Sequence, residues 1–393
     1  AATVAAVGAP LVPRALSAHA AAAGASLPLS LRNESGRGTV YAYISGADES
    51  GWPGFISGDG QFHKLPNPSA VMTPVDDYSI KLGGSGGSPT NLNIGHLIGG
   101  RIWFSMDAKL QFFVNPGDAR PGLVQPGFVE SDPNWRTNWT FCEFTYNSAN
   151  LYANISYVDL VAFPVAMATT GAAGNQSVSP LPPGALTAIA SGLQAQHDAD
   201  GAPWDRLVAS DGGQVLRVLS PTHTPVDFGD YWSGYVDRVW DHYTSNTLTV
   251  DTQSGGVYSG RVSGGAIRFD GLNDNGVPFT KPSAHDIFGC ASGPLYNSGG
   301  DARGAVAARL GAALNRSTLL RPGGDNQPSG VGPAGYYQES TTNHYARLVH
   351  EHADVGYAFP YDDVGPTGSK PVDGHLQDPA PTSWTVTVHN GTA

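Results

Sequence analysis

The chain has 393 residues, of which 40% are hydrophobic and 14% charged, which excludes a disordered chain and indicates two folded domains or one large elaborated domain. Its 51 glycines and 30 prolines favour turns and short strands over long helices. The net charge of −12, with only five Lys scattered singly, argues against nucleic acid or anionic lipid as a partner and leaves a neutral polymer such as a polysaccharide.

The first 26 residues are rich in Ala and lack an initiating Met, as is typical of the region downstream of an export signal. We therefore predict a secreted, extracellular protein whose fold begins after a processed or flexible segment at 1–26. No run of the sequence reaches the roughly 18 apolar residues of a membrane-spanning helix, so no membrane partner is expected.

Strand signals fill the chain from Leu27 to Met167. Segments such as GTVYAYISG, GRIWFSM, LQFFVNPG and WTFCEFTYN are separated by clusters of Gly, Pro, Asn and Asp. This pattern predicts an antiparallel β-sandwich or barrel.

The pattern changes after the linker GNQSVSPLPPG at 174–184. Helical spacing of apolar residues predicts helices over 185–197, 231–245, 302–316 and 341–352, with short strands between the second and third. The middle of the chain is therefore predicted to be mixed α/β (α+β). The closing segment SWTVTVHN returns to the strand pattern of the first part.

Cys142 and Cys290 are the only cysteines in the sequence. An even number in an exported protein is compatible with one disulfide, and two buried thiols are nearly as compatible. The pair lacks the spacing of a zinc site, so no metal and no cofactor are predicted. His350 and His352 allow a metal-dependent hydrolase as an alternative, although residues at i and i+2 do not share a helical face.

The sequence contains no nucleophile elbow, phosphate loop, dinucleotide fingerprint or zinc-protease helix, and this directs attention to carboxylate chemistry. Hydrolysis of a glycosidic bond needs one carboxylic acid and one carboxylate, and no cofactor. Glu143 and Asp159 lie on successive predicted strands among apolar residues that could raise their pKa values by desolvation. The alternative is that each carboxylate bonds to the backbone or pairs with an Arg.

Strand alternation places the residues around Glu143 on two faces. One face carries Trp139, Phe141, Glu143, Thr145 and Asn147, and the other carries the side chains between them. The first face therefore has the polar groups that a substrate groove would need.

A hairpin turning at Ser148 and Ala149 pairs Glu143 with Asn154. Asp159 would then lie about 16 Å further along an ideal strand, at roughly 3.3 Å per residue. A longer loop, a bulge or a bend after Ile155 must bring the two carboxylates together if they act on one bond.

Four segments resemble thaumatin-like proteins: GRIWFS, FCEFTYN, SYVDLVAFPVAM, and YAFPYDD with the closing strand. The segments FVNPGDARPGLVQPGFVESDPN and LYANISYVDLVAFP resemble more closely the laminaripentaose-producing β-1,3-glucanases of glycoside hydrolase family 64. Two cysteines, in place of many disulfides, and Val161 and Ala162, in place of a Gly-Phe pair, depart from the thaumatin pattern.

The resemblance implies a mainly β protein with a thaumatin-like barrel from 27–178 together with 338–393, an inserted α/β domain at 179–337, and a wide groove between them. It implies inverting hydrolysis of β-1,3-glucan with release of laminaripentaose, and we also expect a monomer. Glu143 would be the general acid and Asp159 the general base. The alternative is a non-catalytic thaumatin-like protein that binds glucan without cutting it.

Further residues are candidates for contacts with sugar. Thr145 and Asn147 could bond hydroxyl groups, and Trp139 and Tyr152 could stack on pyranose rings. Asp362 and Asp363 match the acidic element of the thaumatin pattern and are expected to line the groove, with a capping or turn role equally compatible.

Overall fold

The computed structural model describes residues 26–297, 300–369 and 372–391. The predicted processed segment at 1–26 lies, except for its last residue, outside the described residues. Strands β1 to β8 run over Leu27–Glu34, Val40–Ala47, Pro53–Ile56, Phe62–Lys64, Thr73–Pro74, Ile80–Lys81, Thr90–Ile94 and Leu97–Met106. Strands β9 to β15 run over Phe113–Asn115, Gly122–Val124, Asn138–Tyr146, Leu151–Asn154, Leu160–Val161, Val165–Gly171 and Gly174–Val178.

The later strands, β16 to β24, run over Val208–Asp211, Gln214–Leu219, Leu248–Asp251, Val257–Ser263, Ala266–Phe269, Phe279–Thr280, Asn326–Gln327, His375–Asp378 and Pro381–His389. Helices α1 to α5 run over Ala185–Asp200, Ser233–Ser245, Ala284–Gly289, Asp301–Asn315 and His344–His352. The fold is mainly β, as predicted. The predicted helices correspond to α1, α2, α4 and α5, and α3 was missed because a six-residue helix shows too few turns for a periodic pattern.

Two large sheets and a small one with the order β10-β9-β5 form the β part of the described chain. A five-stranded sheet has the order β15-β14-β24-β1-β7, and an eight-stranded sheet has the order β23-β12-β11-β8-β2-β3-β4, with β6 beside β2. Strand β1 pairs in parallel with β24, so the closing strand completes the sheet begun by the first one. The sheets contact each other through apolar side chains, and the rings of Phe144 and Trp384 lie 4.9 Å apart.

The opposite face of the eight-stranded sheet has an apolar cluster of its own, which we call the second core. Alternation along β11 separates Phe141, in the second core, from Cys142 and Phe144, in the core between the two sheets. The second core consists of Tyr43, Phe55, Leu65, Trp103, Leu110, Phe112, Val114, Trp139, Phe141, Leu160, Ala162 and Leu219. It therefore joins the eight-stranded sheet to strands β13 and β17.

The middle region contains two smaller sheets and most of the helices. Strand β13 pairs with β17 in the order β13-β17-β16, and a five-stranded sheet has the order β21-β20-β19-β18-β22. Helix α5 packs on α1, where Gly192 leaves room for Leu348. Both contacts cross the predicted domain boundaries at 178 and 338, because β13 and the apolar face of α5 need partners from the middle region.

Cys142 and Cys290 are free and buried, so the candidate disulfide is not formed and the alternative of two buried thiols holds. Cys142 faces the core between the sheets, whereas Cys290 follows α3 and contacts Asn315 in the middle region. Burial raises the pKa of each thiol to about 12. An even cysteine count carries no information about the distance between the two residues.

No helix among the described residues is long and apolar enough to cross a membrane.

A buried ion pair joins the end of α4 to the loop before β23. The Arg316 guanidinium donates to an Asp362 carboxylate oxygen at 2.8 Å, and the other oxygen contacts His350 Nε2 at 2.8 Å and accepts from Ala358 N at 2.8 Å. Burial opposes the ionisation of Asp362, but His350 and Arg316 hold its pKa below the usual value. The pair thus stabilises the fold above the unfolded carboxyl pKa of about 4, and this contribution is lost as the pH falls through the lowered value.

We predict that Asp362→Ala lowers the free energy of unfolding by about 4 kcal/mol at pH 7, because it leaves the buried Arg316 charge without its counter-ion. The exposed neighbour provides a matched control, and Asp363→Ala should change the free energy by less than about 0.5 kcal/mol. Urea unfolding followed by circular dichroism measures both values. Equal effects of the two substitutions would contradict the assignment.

Candidate active site

A row of polar side chains crosses four neighbouring strands of the eight-stranded sheet. Arg101 on β8 is opposite Glu143 on β11, Glu143 is opposite Asn154 on β12, and Asn154 is opposite His375 on β23. Cross-strand partners share a face, so these side chains lie side by side. The predicted pairing of Glu143 with Asn154 is confirmed. Phe141 is the last side chain on β11 that belongs to the second core. The row begins beyond it, where the second core no longer covers this face.

Asp159 reaches this row because the chain bends out of the sheet after β12. Ile155 N still bonds to Gly374 O, just before β23, and Tyr157 N bonds to Tyr357 O in the loop after α5. Gly356 allows the bend, since it has a φ of 113° and a Cβ there would meet the Tyr157 ring at 2.6 Å. Of the three alternatives, a longer loop, a bulge or a bend after Ile155, the structure has the bend.

The bent segment then joins the middle region instead of the eight-stranded sheet. Leu160 and Val161 form β13 and pair with β17, and Ser220 N donates to Asp159 O at 2.9 Å. Asp159 is therefore held by the strand pairing of a different sheet from the one that holds Glu143.

Arg101 contacts both carboxylates. Its Nε and Nη2 donate to Glu143 Oε1 at 3.1 and 2.9 Å, and the same Nη2 donates to Asp159 Oδ2 at 3.3 Å. These two oxygens are thus at most about 6 Å apart, the sum of the two Nη2 distances. Arg101 is oriented by Gln125, which accepts from Nη1 at 2.9 Å, and by the Phe141 ring, 4.3 Å from the guanidinium carbon.

Asp159 has a donor on each of its oxygens. His223 Nε2, from the loop after β17, lies 2.9 Å from Oδ1, and Arg101 donates to Oδ2. Burial works against ionisation of Asp159, but the hydrogen bond from His223 and the charge of Arg101 hold its pKa below the usual value. Desolvation acts to raise the pKa of this carboxyl, as predicted, but the combined effect of His223 and Arg101 outweighs it, so the net shift is downward.

The two carboxylates differ in access to solvent. The side chain of Glu143 is 37% exposed, and that of Asp159 is 16% exposed. Glu143 Oε2 contacts Asn154 Nδ2 at 3.4 Å, whereas Oε1 carries both bonds from Arg101. Oε2 is thus the less tightly held of the two Glu143 carboxylate oxygens.

Thr145 lies beside Glu143, two residues along the same face. A β-bulge interrupts the pairing of β8 with β11 at this point, and Gly99 N donates to Thr145 Oγ1 at 3.2 Å. Asn147 has a different role, because its side-chain oxygen accepts from Ala149 N and Asn150 N and so closes the hairpin turn.

Tyr152 is opposite Thr145 and extends the polar face toward β23. Its ring stacks on His375 with centroids 5.3 Å apart, and His375 Nδ1 lies 2.7 Å from Asp373 Oδ2. Burial, followed by the charges of Asp373 and Asp363, raises the pKa of Tyr152 to about 12. The exposed Asp363 therefore lies close enough to act on this end of the row.

Two predicted contact residues are not at the surface. Trp139 is fully buried between Trp103, Phe128 and the Arg217 guanidinium, so its ring cannot stack on a sugar. Alternation placed it correctly on the face of Glu143, but the second core covers that part of the face. Asp362 does not line a groove either, because it forms the buried ion pair with Arg316.

The metal alternative is not supported by the geometry. His350 is bonded to Asp362, and within 26–297, 300–369 and 372–391 no three His, Cys, Asp or Glu side chains are arranged to hold a metal ion.

Sequence reasoning missed Arg101, Gln125, His223 and the pair of Asp373 and His375. Arg101 could have been found, since alternation in GRIWFSM places it on the face of Trp103. His223 could not, because it comes from a distant loop.

Three comparisons relate the chain to known proteins. Residues 25–388 match the family Glyco_hydro_64, described as β-1,3-glucanase. The chain is 35% identical over 376 residues to glucan endo-1,3-β-glucosidases of Cellulosimicrobium cellulans and of Arthrobacter sp. (strain YCWD3); the match covers 92% of this chain and 66% of each relative. The chain thus spans slightly less than two thirds of the length of these relatives.

Two solved structures of β-1,3-glucanases are also similar to this chain. A laminaripentaose-producing β-1,3-glucanase in complex with laminaritetraose superposes with a TM-score of 0.81 at 32% identity, covering 94% of this chain and 99% of that one. A β-1,3-glucanase domain from Clostridium beijerinckii has the same fold, with a TM-score of 0.70 at 22% identity, covering 93% and 98% of the two chains.

We predict that His223→Ala raises the pKa of Asp159, because it removes the donor on Oδ1 and leaves Arg101 as the remaining basic partner. Titration of the Asp159 carboxyl carbon by NMR measures the change. His285→Ala, on the exposed side of α3, is the control and should leave the titration unchanged. An unaltered or lower pKa in folded His223→Ala would contradict the role of His223.

Proposed function

The chain belongs to glycoside hydrolase family 64, the β-1,3-glucanases, and from this premise we propose that it hydrolyses β-1,3-glucan with Glu143 as general acid and Asp159 as general base. The observation that carries the proposal is the contact of one guanidinium, that of Arg101, with both carboxylates. Two acidic groups held this close can act on the two sides of one glycosidic bond.

The environments of the two carboxylates support the division of roles. Asp159 is the less exposed, has a donor on each oxygen and a lowered pKa, so it is ionised and able to accept a proton from water. Glu143 is the more exposed, and its Oε2 carries the weaker of its contacts. That oxygen is the one we assign to protonation of the leaving group.

We assign an inverting mechanism, as the family resemblance implies. Inverting enzymes separate their carboxyl groups by about 6.5 to 9.5 Å to admit a water molecule, and retaining enzymes by about 5 to 5.5 Å. The Nη2 group of Arg101 donates to one oxygen of each carboxylate. The bound of about 6 Å applies to Glu143 Oε1 and Asp159 Oδ2 alone, so the support for inversion is the family resemblance.

We further propose that the two β-sheets form a thaumatin-like barrel and the middle region an inserted α/β domain, with the polar row on the floor of a groove between them. Thr145 and Tyr152 lie along this row, the exposed Asp363 acts on Tyr152 through its charge, and these are the contact residues that we retain. Laminaripentaose as the product, secretion and a monomeric state belong to the same proposal. The first two are supported by the laminaripentaose-producing relative and by the Ala-rich N-terminal composition.

We predict that Glu143→Gln and Asp159→Asn each reduce sugar release from laminarin by at least about 100-fold, since each removes one partner of the proton transfer. Glu130→Gln, an exposed change in the loop before β11, is the control and should retain full activity. Reducing-sugar assays give the rates, and sedimentation with insoluble β-1,3-glucan gives the binding. A wild-type protein that binds glucan and releases no sugar would favour the non-catalytic alternative.

We also predict that the first product from a β-1,3-glucan oligosaccharide has the α-anomeric form, because water activated by Asp159 attacks the face opposite the leaving group. Proton NMR of the anomeric signals during the first minutes distinguishes the outcomes. Initial accumulation of the β-anomer would overturn the inverting assignment and leave the identity of the two carboxylates intact.

A further inference from the structure

Arg217 on β17 is a buried cation without a carboxylate partner. The residue is fully buried, and it takes part in no ion pair within the described parts of the chain, although the charge of Asp132 acts on it from a greater distance. Its guanidinium donates to the backbone carbonyls of Thr137 at 2.9 Å, Asn134 at 3.4 Å and Trp135, and lies 4.6 Å from the centre of the Trp139 ring. Among the residues that the structure describes, its Nε has no acceptor. Burial lowers the pKa of Arg217 to about 10.

The contacts of Arg217 join β17, which pairs with the strand that follows Asp159, to the loop before β11, which carries Glu143. The carbonyls that it binds belong to the loop directly before β11, the strand of Glu143. Along β17, the next residues Val218 and Leu219 pair with Val161 and Leu160, immediately after Asp159. Ser220 N then bonds to the Asp159 carbonyl. One side chain thus connects the strand that positions the acid with the strand that positions the base.

We propose that Arg217 is a positioning residue that fixes the distance between Glu143 and Asp159. This inference rests on the proposed function. Asp159 is held by a different sheet from Glu143, so their separation depends on how β17 sits against β11. Apolar contacts of the second core are non-directional, whereas three hydrogen bonds from one planar guanidinium fix both register and orientation. A buried charge is costly to desolvate, and its retention here is explained by this geometric role.

Arg303 on α4 provides a matched comparison. It too is buried, it donates to the backbone carbonyls of Val277, Pro294 and Tyr296, and its guanidinium lies 4.4 Å from the centre of the Phe279 ring. These partners lie in the middle region, and none of them belongs to a strand that carries Glu143 or Asp159. Loss of Arg303 therefore imposes a similar structural penalty without moving the two carboxylates.

The test compares Arg217→Met, Arg217→Lys and Arg303→Met with wild-type protein on laminarin, at a temperature where thermal denaturation shows all of them folded. Both Met variants should have a lower Tm. Displacement of a catalytic group by about 1 Å can reduce the rate by about 100-fold, so we expect kcat of Arg217→Met to fall by at least about tenfold. Its KM should stay within about twofold, because the residue does not touch substrate. Arg217→Lys keeps the charge and should have an intermediate kcat, whereas Arg303→Met should keep kcat within about twofold.

Two results would overturn the positioning role. One is a folded Arg217→Met protein with wild-type kcat, and the other is an equal loss of kcat in Arg303→Met. If Arg217→Met does not fold, Arg217→Lys against Arg303→Lys decides the question by the same criterion. Failure of the proposed function has a separate signature, since wild-type protein would then release no sugar from laminarin, and the positioning role would fall with it.

Discussion

The site depends on one cation, Arg101, that holds two carboxylates from different parts of the structure. Glu143 extends from a strand of the eight-stranded sheet, whereas Asp159 precedes a two-residue strand paired with the middle region. Two carboxylates this close repel each other when both are ionised, and the guanidinium between them offsets that repulsion. His223 adds a second donor to Asp159 alone. The difference between the two carboxylates therefore comes from their partners and from their exposure.

The chain between Asn154 and Leu160 couples the β part to the middle region. It leaves the eight-stranded sheet, passes Gly356 and enters the sheet of β16 and β17. The second core lies under this crossing, because it takes Trp139 and Phe141 from β11, Leu160 and Ala162 from the crossing chain, and Leu219 from β17. Packing and catalytic geometry are thus determined by the same few strands, and a change in the second core would be transmitted directly to the carboxylates.

Burial separates side chains that look equivalent in the sequence. Asp362 and Asp363 are adjacent, yet the first neutralises Arg316 in the interior and the second is exposed near Tyr152. Trp139 and Glu143 share one face of β11, yet the second core covers only the tryptophan. In the sequence, Asp362 and Asp363 share a chemical type, and Trp139 and Glu143 share a strand face. Which of them can touch a substrate depends on what packs above them.

The sequence by itself determined the mainly β fold, four of the helices, the faces of β11 and the pairing of Glu143 with Asn154. These features follow from local periodicity and a short hairpin, which involve residues close together in the chain. The sequence also marked the two carboxylates through a family resemblance. Only the tertiary structure decided that Arg101, Gln125 and His223 surround them, that the cysteines stay apart, and that the pKa of Asp159 is lowered. Each of these depends on contacts between distant segments, whose distance and direction no local pattern encodes.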